Sequence, residues 1–193
     1  MNQTLDAWLA AVVATPGLTS LRDVAAARAM LLEDSLRGVD VVSQFDGPII
    51  DVGSGGGAPG IPLAHALPER EVVLLEAERR KCDFLEEWAP RNARVVWGRA
   101  EEQETDWAGV AVAKALAQPP TALEWCLPLV RPGGAAVLWV GESAELEPLR
   151  NVAEQLAGEL GDSPAGLVVV HKKGPTPAGF PRRTGVAKKR PLA

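Results

Sequence analysis

The chain has 193 residues, 47% of them apolar and 23% charged, with a formal net charge of −5. That balance suits one globular domain with a core of its own, and no run of ~20 apolar residues offers a membrane span. Two cysteines, Cys82 and Cys126, and two histidines, His65 and His171, give neither a disulfide framework nor metal-ligand spacing, so a reducing, cytoplasmic setting without a metal is expected.

Asp6 stands near the start with no basic residue before it, which argues against a signal peptide. "TLDAWLAAVVA" predicts a short amphipathic helix ended by Pro16-Gly17. A second helix is predicted from about Asp23, its N-cap, to Arg37. Residues 1–46 thus read as a helical N-terminal extension of the same domain. After Gly47-Pro48 the pattern changes to short apolar runs, which read as buried strands. They are "PIIDVG" at 48–53, "EVVLLE" at 71–76, "ARVVWG" at 93–98, "GVAVAK" at 109–114, "GAAVLWVG" at 134–141 and "GLVVVHK" at 166–172. Helical patterns lie between several of them. Phe84, Leu85 and Trp88 share a face in 78–89, and Leu146, Leu149, Ala153, Leu156 and Leu160 make a stripe in 143–160. Strands alternating with helices predict an α/β fold: a doubly wound, mostly parallel sheet with helices on both faces.

The stretch "DVGSGGGAPGIP", residues 51–62, carries five glycines directly after the first predicted strand. Each ordered glycine costs about 0.5–1 kcal/mol relative to alanine, so the turn must need positive φ or a backbone that a ligand approaches closely. In open α/β sheets such a turn lies at the carboxyl ends of the strands, where ligands bind. Pro59 and Pro62 suit the start of the following helix. Gly55, Gly57 and Gly60 satisfy the dinucleotide spacing G-x-G-x-x-G, so a nicotinamide cofactor is one reading. Asp51, however, would repel a pyrophosphate. It suits the ammonium or sulfonium side of S-adenosylmethionine, and the pattern D-x-G-x-G-x-G leans to that methyl donor. Glu76, ending the second strand, is placed for ribose hydroxyls under either reading. "GRAEE" at 98–102 follows the third strand, where an Ala-Glu pair offers backbone N–H groups to an adenine ring.

From His171 onward the chain has seven basic residues and no acidic ones: Lys172, Lys173, Arg182, Arg183, Lys188, Lys189 and Arg190. The first 170 residues carry a net −12. The segment 174–193 therefore reads either as a polyanion-binding tail or as a solvated terminus. Six tryptophans and Phe180 are candidate stacking surfaces. Most of the tryptophans sit in apolar stretches that favour core packing, and Trp8, Trp107 and Phe180 are the least settled.

Taken together, these pieces resemble the bacterial small-subunit rRNA guanine-N7 methyltransferase family (RsmG-type, or GidB). "GLTSLRD", "EDSL", "IIDVGSGGGAPGIPLA", "VVLLEAERRKCDFL", "GRAEE", "VAKALAQP" and "HKKGPTPAGFPRRTGVAKKRPL" follow in the family's order over roughly residues 17–192. The resemblance implies a class I, Rossmann-like methyltransferase fold. It implies S-adenosylmethionine as donor, S-adenosylhomocysteine as product, and N7 of one guanosine in 16S rRNA of the small ribosomal subunit as acceptor. Matching motifs place Gly53, Ala58, Glu76, Ala100, Glu101 and Lys114 at the donor. With Asp51, Ser54, Gly55 and Gly57 of the loop they form the expected binding set, and the seven basic residues form the expected RNA-binding set. Lys114 is the candidate for orienting the reaction; its bland alternative is a strand-end lysine in solvent. The sequence departs from the family where Lys114 replaces an arginine, Leu31 a histidine, Gly17 an asparagine, and Val186-Ala187 a Thr-Pro pair.

Guanine N7 has a lone pair and no proton at neutral pH, so its methylation needs placement rather than a general base. "KALA" after the fourth strand, in place of an Asn/Asp-Pro-Pro-aromatic pattern, argues against methylation of an exocyclic amine. The expectation is a monomeric rRNA methyltransferase. The alternative is a catalytically weakened homologue that binds donor or RNA.

Overall fold

The computed structural model describes residues 4–141 and 145–193. Seven strands form one sheet: β1 (Ile49–Val52), β2 (Val72–Glu76), β3 (Ala93–Trp97), β4 (Ala108–Lys114), β5 (Val130–Trp139), β6 (Gly158–Leu160) and β7 (Leu167–Lys172). Their order is β3-β2-β1-β4-β5-β7-β6. The strands β1 to β5 run parallel, and β7 lies antiparallel between β5 and β6. The chain leaves β1 outward to β2 and β3, then crosses back to β4. That reversal opens a crevice at the carboxyl ends of β1 and β4.

Alternation along the central strands explains their unbroken apolar runs. Ile49, Leu74, Val112 and Val137 face a core completed by α1 (Leu5–Ala14), α5 (Gly60–Ala66) and α6 (Arg79–Trp88). Ile50, Val73, Ala111 and Ala136 face the opposite core, closed by α7 (Pro119–Cys126) and α8 (Leu146–Gln155). Both faces are covered, so the strands need no polar side. Each fully buried leucine or isoleucine contributes about 1.5–3 kcal/mol.

The N-terminal extension is part of the first core. Trp8, Leu9 and Val12 of α1 are fully buried there. Thr4 caps α1 by accepting from the Ala7 N–H, and Asp23 caps α2 (Val24–Ala27) by accepting from the Ala26 N–H at 2.9 Å. The predicted second helix is not uniform. A π-helical stretch, Arg28–Glu33, separates α2 from α3 (Asp34–Leu36), and α4 (Val39–Val42) follows.

One predicted element is divided. The helical stripe read over 143–160 covers α8 and then the edge strand β6, with residues 143 and 144 outside the described residues. Ala157 adopts φ 57° and turns the chain, and its carbonyl accepts from the Lys173 and Gly174 N–H groups. Leu156 and Leu160 reach the same core from the two sides of that turn, which is why their spacing looked continuous. The C-terminal basic segment also folds back. It forms α9 (Val186–Lys189), and Ala187 is buried. Among the described residues no helix is long and apolar enough to cross a membrane.

Candidate active site

The glycine loop leaves β1 at the crevice and enters α5. Gly53 adopts φ 72° and Gly55 φ 56°, in the left-handed region that favours glycine. A Cβ on Gly53 would strike Leu116, whereas one on Gly55 would meet only the Gly53 carbonyl oxygen, at 3.8 Å. Two carboxylates hold this shape. Oδ2 of Asp51 accepts from the Gly60 N–H at 3.0 Å. Glu76 accepts from the Gly55 N–H at 2.9 Å through Oε2 and from the Glu78 N–H at 2.8 Å through Oε1. The Trp8 indole N–H reaches the Gly56 carbonyl at 2.8 Å, tying the N-terminal helix to the loop.

Above the loop lies a cavity of about 630 Å³. Of the expected donor set, Gly53, Ser54, Gly55, Ala58, Glu76, Ala100, Glu101 and Lys114 line it. Two do not. Asp51 is 1% exposed and lies beneath the loop as its support, outside the cavity lining. Burial pushes its carboxyl up to about 7, helped by the nearby Glu76 charge and opposed by hydrogen bonds from Ser54 and Gly60. Gly57 is also buried, turned toward Ile61 and Trp8, and Gly56 takes its place in the lining. Lys114 is no solvated lysine. Its side chain is 13% exposed and its Nζ lies 2.7 Å from Oδ2 of Asp34.

The basic set divides under the structure. Lys172 is a core residue, not an RNA contact: it is 1% exposed. Its Nζ donates to the Thr176 hydroxyl at 2.9 Å and the Leu127 carbonyl at 3.2 Å, with Asp106 at 3.7 Å. Burial lowers its pKa and Asp106 opposes that shift. Arg182 is also engaged. Its Nε and Nη2 form a fork on Glu124, a carboxylate with a 2% exposed side chain, and Nη2 also reaches the Arg190 carbonyl. Lys173 is exposed but paired with Glu159 at 3.1 Å. Arg183, Lys188, Lys189 and Arg190 are exposed. The segment is pinned further where Gly185 N–H donates to Glu101 at 3.1 Å and the Thr184 hydroxyl to Glu102 at 3.0 Å. Gly185 and Lys188 consequently wall the donor cavity.

The wall also holds Leu31, singled out in the sequence only as a departure from the family, and Ala115, which sequence reasoning missed. Leu31 enters from the π-helical stretch, and Ala115, at φ 53°, ends β4 in a left-handed turn unusual for a residue with a Cβ. A π-helical stretch and a left-handed alanine leave no mark in apolar periodicity. Trp97, read as core, is 62% exposed beneath the Arg79 guanidinium. Trp8, left open as a stacking surface, is buried. A second cavity, of about 870 Å³, adjoins the first and shares Leu116, Trp125 and Lys188 with it.

Comparisons with known proteins bear on the family and the fold. The family described as rRNA small subunit methyltransferase G matches residues 3–160. A protein named ribosomal RNA small subunit methyltransferase G from Synechococcus elongatus is 35% identical, covering 91% of this chain and 82% of that protein. Its namesake from Syntrophomonas wolfei is also 35% identical, covering 83% and 84%. Among solved structures, the 16S rRNA N2 G1207 methyltransferase of T. thermophilus, in complex with AdoMet and guanosine, superposes with TM-score 0.52 at 17% identity, over 72% of this chain and 40% of its own. An S-adenosylmethionine-dependent O-methyltransferase from Thermotoga maritima reaches 0.57 at 16% identity, over 73% and 65%. These structural likenesses show the class I methyltransferase fold. The sequence matches go further, and the chain belongs to the rRNA small subunit methyltransferase G family.

Proposed function

We propose that this protein is an S-adenosylmethionine-dependent methyltransferase that modifies N7 of a guanosine in 16S rRNA of the small ribosomal subunit. The observation that carries the proposal is the crevice itself. Its glycine loop is braced from Glu76, and Ala100, Glu101 and Lys114 complete the wall of a cavity sized for a nucleoside-bearing ligand.

The residues suit the donor. Each oxygen of Glu76 holds one backbone N–H and keeps a further lone pair for ribose hydroxyls. Ala100 and Glu101 bring backbone groups to the adenine end, and Lys114 serves the carboxylate of the amino-acid end. Glu76, bonded to the Gly55 N–H of the loop itself, would stand against a pyrophosphate at that turn and disfavours the nicotinamide reading. When bound, the donor supplies a methyl group on a positively charged sulfur. Because N7 attacks with its own lone pair and releases no proton, the protein needs no base there, and neither histidine nor cysteine is found in the described lining. Leu18, Leu31 and Leu116 supply an apolar part of the wall. The remaining contribution is orientation, worth up to about 7–11 kcal/mol.

The acceptor guanosine enters through the second cavity, whose Trp125, Pro119 and Pro120 give flat apolar surfaces for a base. Arg183, Lys188, Lys189 and Arg190 meet the RNA phosphates. The expected working form is a monomer, and a ribosomal substrate fits a reaction in the cytoplasm. The test incubates labelled S-adenosylmethionine with unmethylated 16S rRNA and with small subunits, then maps the label. The expected result is N7-methylguanosine at a single site. Tight donor binding without incorporation into either substrate would favour the weakened homologue instead.

A further inference from the structure

With Asp51 buried under the loop, the donor's amino-acid end needs another partner. Sheet order indicates where to look. Glu76 and residues 98–101 stand at the ends of β2 and β3, on one side of the loop, and Lys114 ends β4 on the other. Nucleoside partners on the first side leave the amino-acid end to Lys114.

Lys114 does not hold itself in place. Behind it, outside the cavity lining, Asp34 approaches its Nζ at 2.7 Å. Asp34 is anchored twice. Arg37 Nη1 donates to its Oδ1 at 2.9 Å, and the Trp139 indole N–H donates to its backbone carbonyl at 2.8 Å. It directly follows the π-helical stretch that also brings Leu31 into the cavity wall. Such stretches are rare and recur at functional sites.

We propose that Asp34 is a positioning residue. It fixes the Lys114 ammonium in the cavity wall so that the remaining N–H donors of Nζ meet the α-carboxylate of the methyl donor. The proposal rests on the S-adenosylmethionine reading above. Asp34, 2.7 Å away, gives a lysine this enclosed a carboxylate partner that holds it in place. Asp34 occupies one of its three donors and leaves the others for the ligand.

The test compares two probes by calorimetry: S-adenosylhomocysteine, and 5′-methylthioadenosine, which has the nucleoside and thioether but no amino acid. Asp34→Asn and Lys114→Gln should each weaken S-adenosylhomocysteine roughly 10- to 100-fold, the loss of a charge-assisted contact. Neither should change 5′-methylthioadenosine affinity by more than about twofold. The double variant should be no weaker than Lys114→Gln alone, because Asp34 acts through Lys114. Unchanged or tighter S-adenosylhomocysteine binding by Asp34→Asn overturns the proposal. So does an equal loss for both probes, which would mean general damage to the wall, and so does an additive double variant. If Asp34→Asn fails to fold by circular dichroism, Asp34→Glu takes its place, and its loss must again be confined to S-adenosylhomocysteine. Wild-type protein that binds neither probe would sink the donor reading itself; wild-type protein that binds both equally would sink only the carboxylate assignment.

Discussion

The glycine loop and the C-terminal basic segment are both held by carboxylates of the body, but in different ways. The loop hangs its backbone N–H groups on Asp51 and Glu76, which end adjacent parallel strands and are 1% and 6% exposed. The C-terminal segment hangs on Glu101, Glu102 and Glu124, partly through side chains and across at least 58 residues of sequence. The loop's shape is therefore set inside the sheet, away from solvent ions. The segment's position rests on one fork to the buried Glu124 and on two contacts nearer solvent, at Glu101 and Glu102. The two meet at the donor cavity, where one forms the floor and the other part of the wall.

Breaking the segment should cost stability before it costs ligand. Arg182→Ala leaves Glu124 buried without its cation, and about 3 kcal/mol of unfolding free energy should be lost, read by urea titration. Adding Glu124→Gln should recover much of it. A loss below about 1 kcal/mol would show that the fork does not pin the segment. Breaking the loop should do the reverse. Gly55→Val puts a β-branched residue at φ 56° and its side chain into the cavity. S-adenosylhomocysteine affinity should fall about 100-fold or more, with the thermal transition retained. Unchanged affinity by calorimetry would remove the loop from the donor site.

How legible each region is in the sequence follows from the same contrast. The loop and its strands are local: apolar runs bounded by glycine, with acids at strand ends. All six strands read from the sequence are present, and eight residues of the donor set share one cavity. What stayed hidden depends on where a side chain points. Asp51 has the right type and position, but its carboxylate turns under the loop to meet Gly60. Lys172 counts as charge in a tally of the C-terminal segment, yet β7 carries it into the core beside Asp106. The partners that fold the segment back, Glu101, Glu102 and Glu124, are ordinary acids whose spacing announces nothing. Strand β6 was absorbed into a helical stripe because Leu156 and Leu160 serve one core from two elements.

The cations that the segment leaves free sharpen the comparison from the RNA side. Arg183, Lys189 and Arg190 are exposed and lie outside the lining of the donor cavity. Changing all three to alanine should weaken 16S rRNA binding about tenfold near physiological salt. It should also make the log–log salt dependence shallower by about 2, at roughly 0.7 per single-strand phosphate. S-adenosylhomocysteine affinity should not move. An unchanged salt slope would take these side chains out of the RNA interface.

The smallest effect tests the loop's buried support. With the Asp51 carboxyl raised from 3.8 to about 7, mainly by burial, the folded chain keeps a proton that the unfolded chain has released across that interval. This contribution to stability is fully present below the unfolded value and is lost as pH rises through about 7. The slope is about 1.4 kcal/mol per pH unit inside the window, so about 1 kcal/mol should disappear between roughly pH 6 and pH 8. Asp51→Asn removes the ionisation, and its amide oxygen still accepts from the Gly60 N–H. His65, whose pKa burial lowers, is present in both proteins and drops out of the comparison. Urea unfolding of both at the two pH values should show the wild type losing about 1 kcal/mol more than the variant. Equal losses would mean that the carboxylate under the loop is already ionised at neutral pH, and that the loop is braced by a charge rather than by a neutral acid.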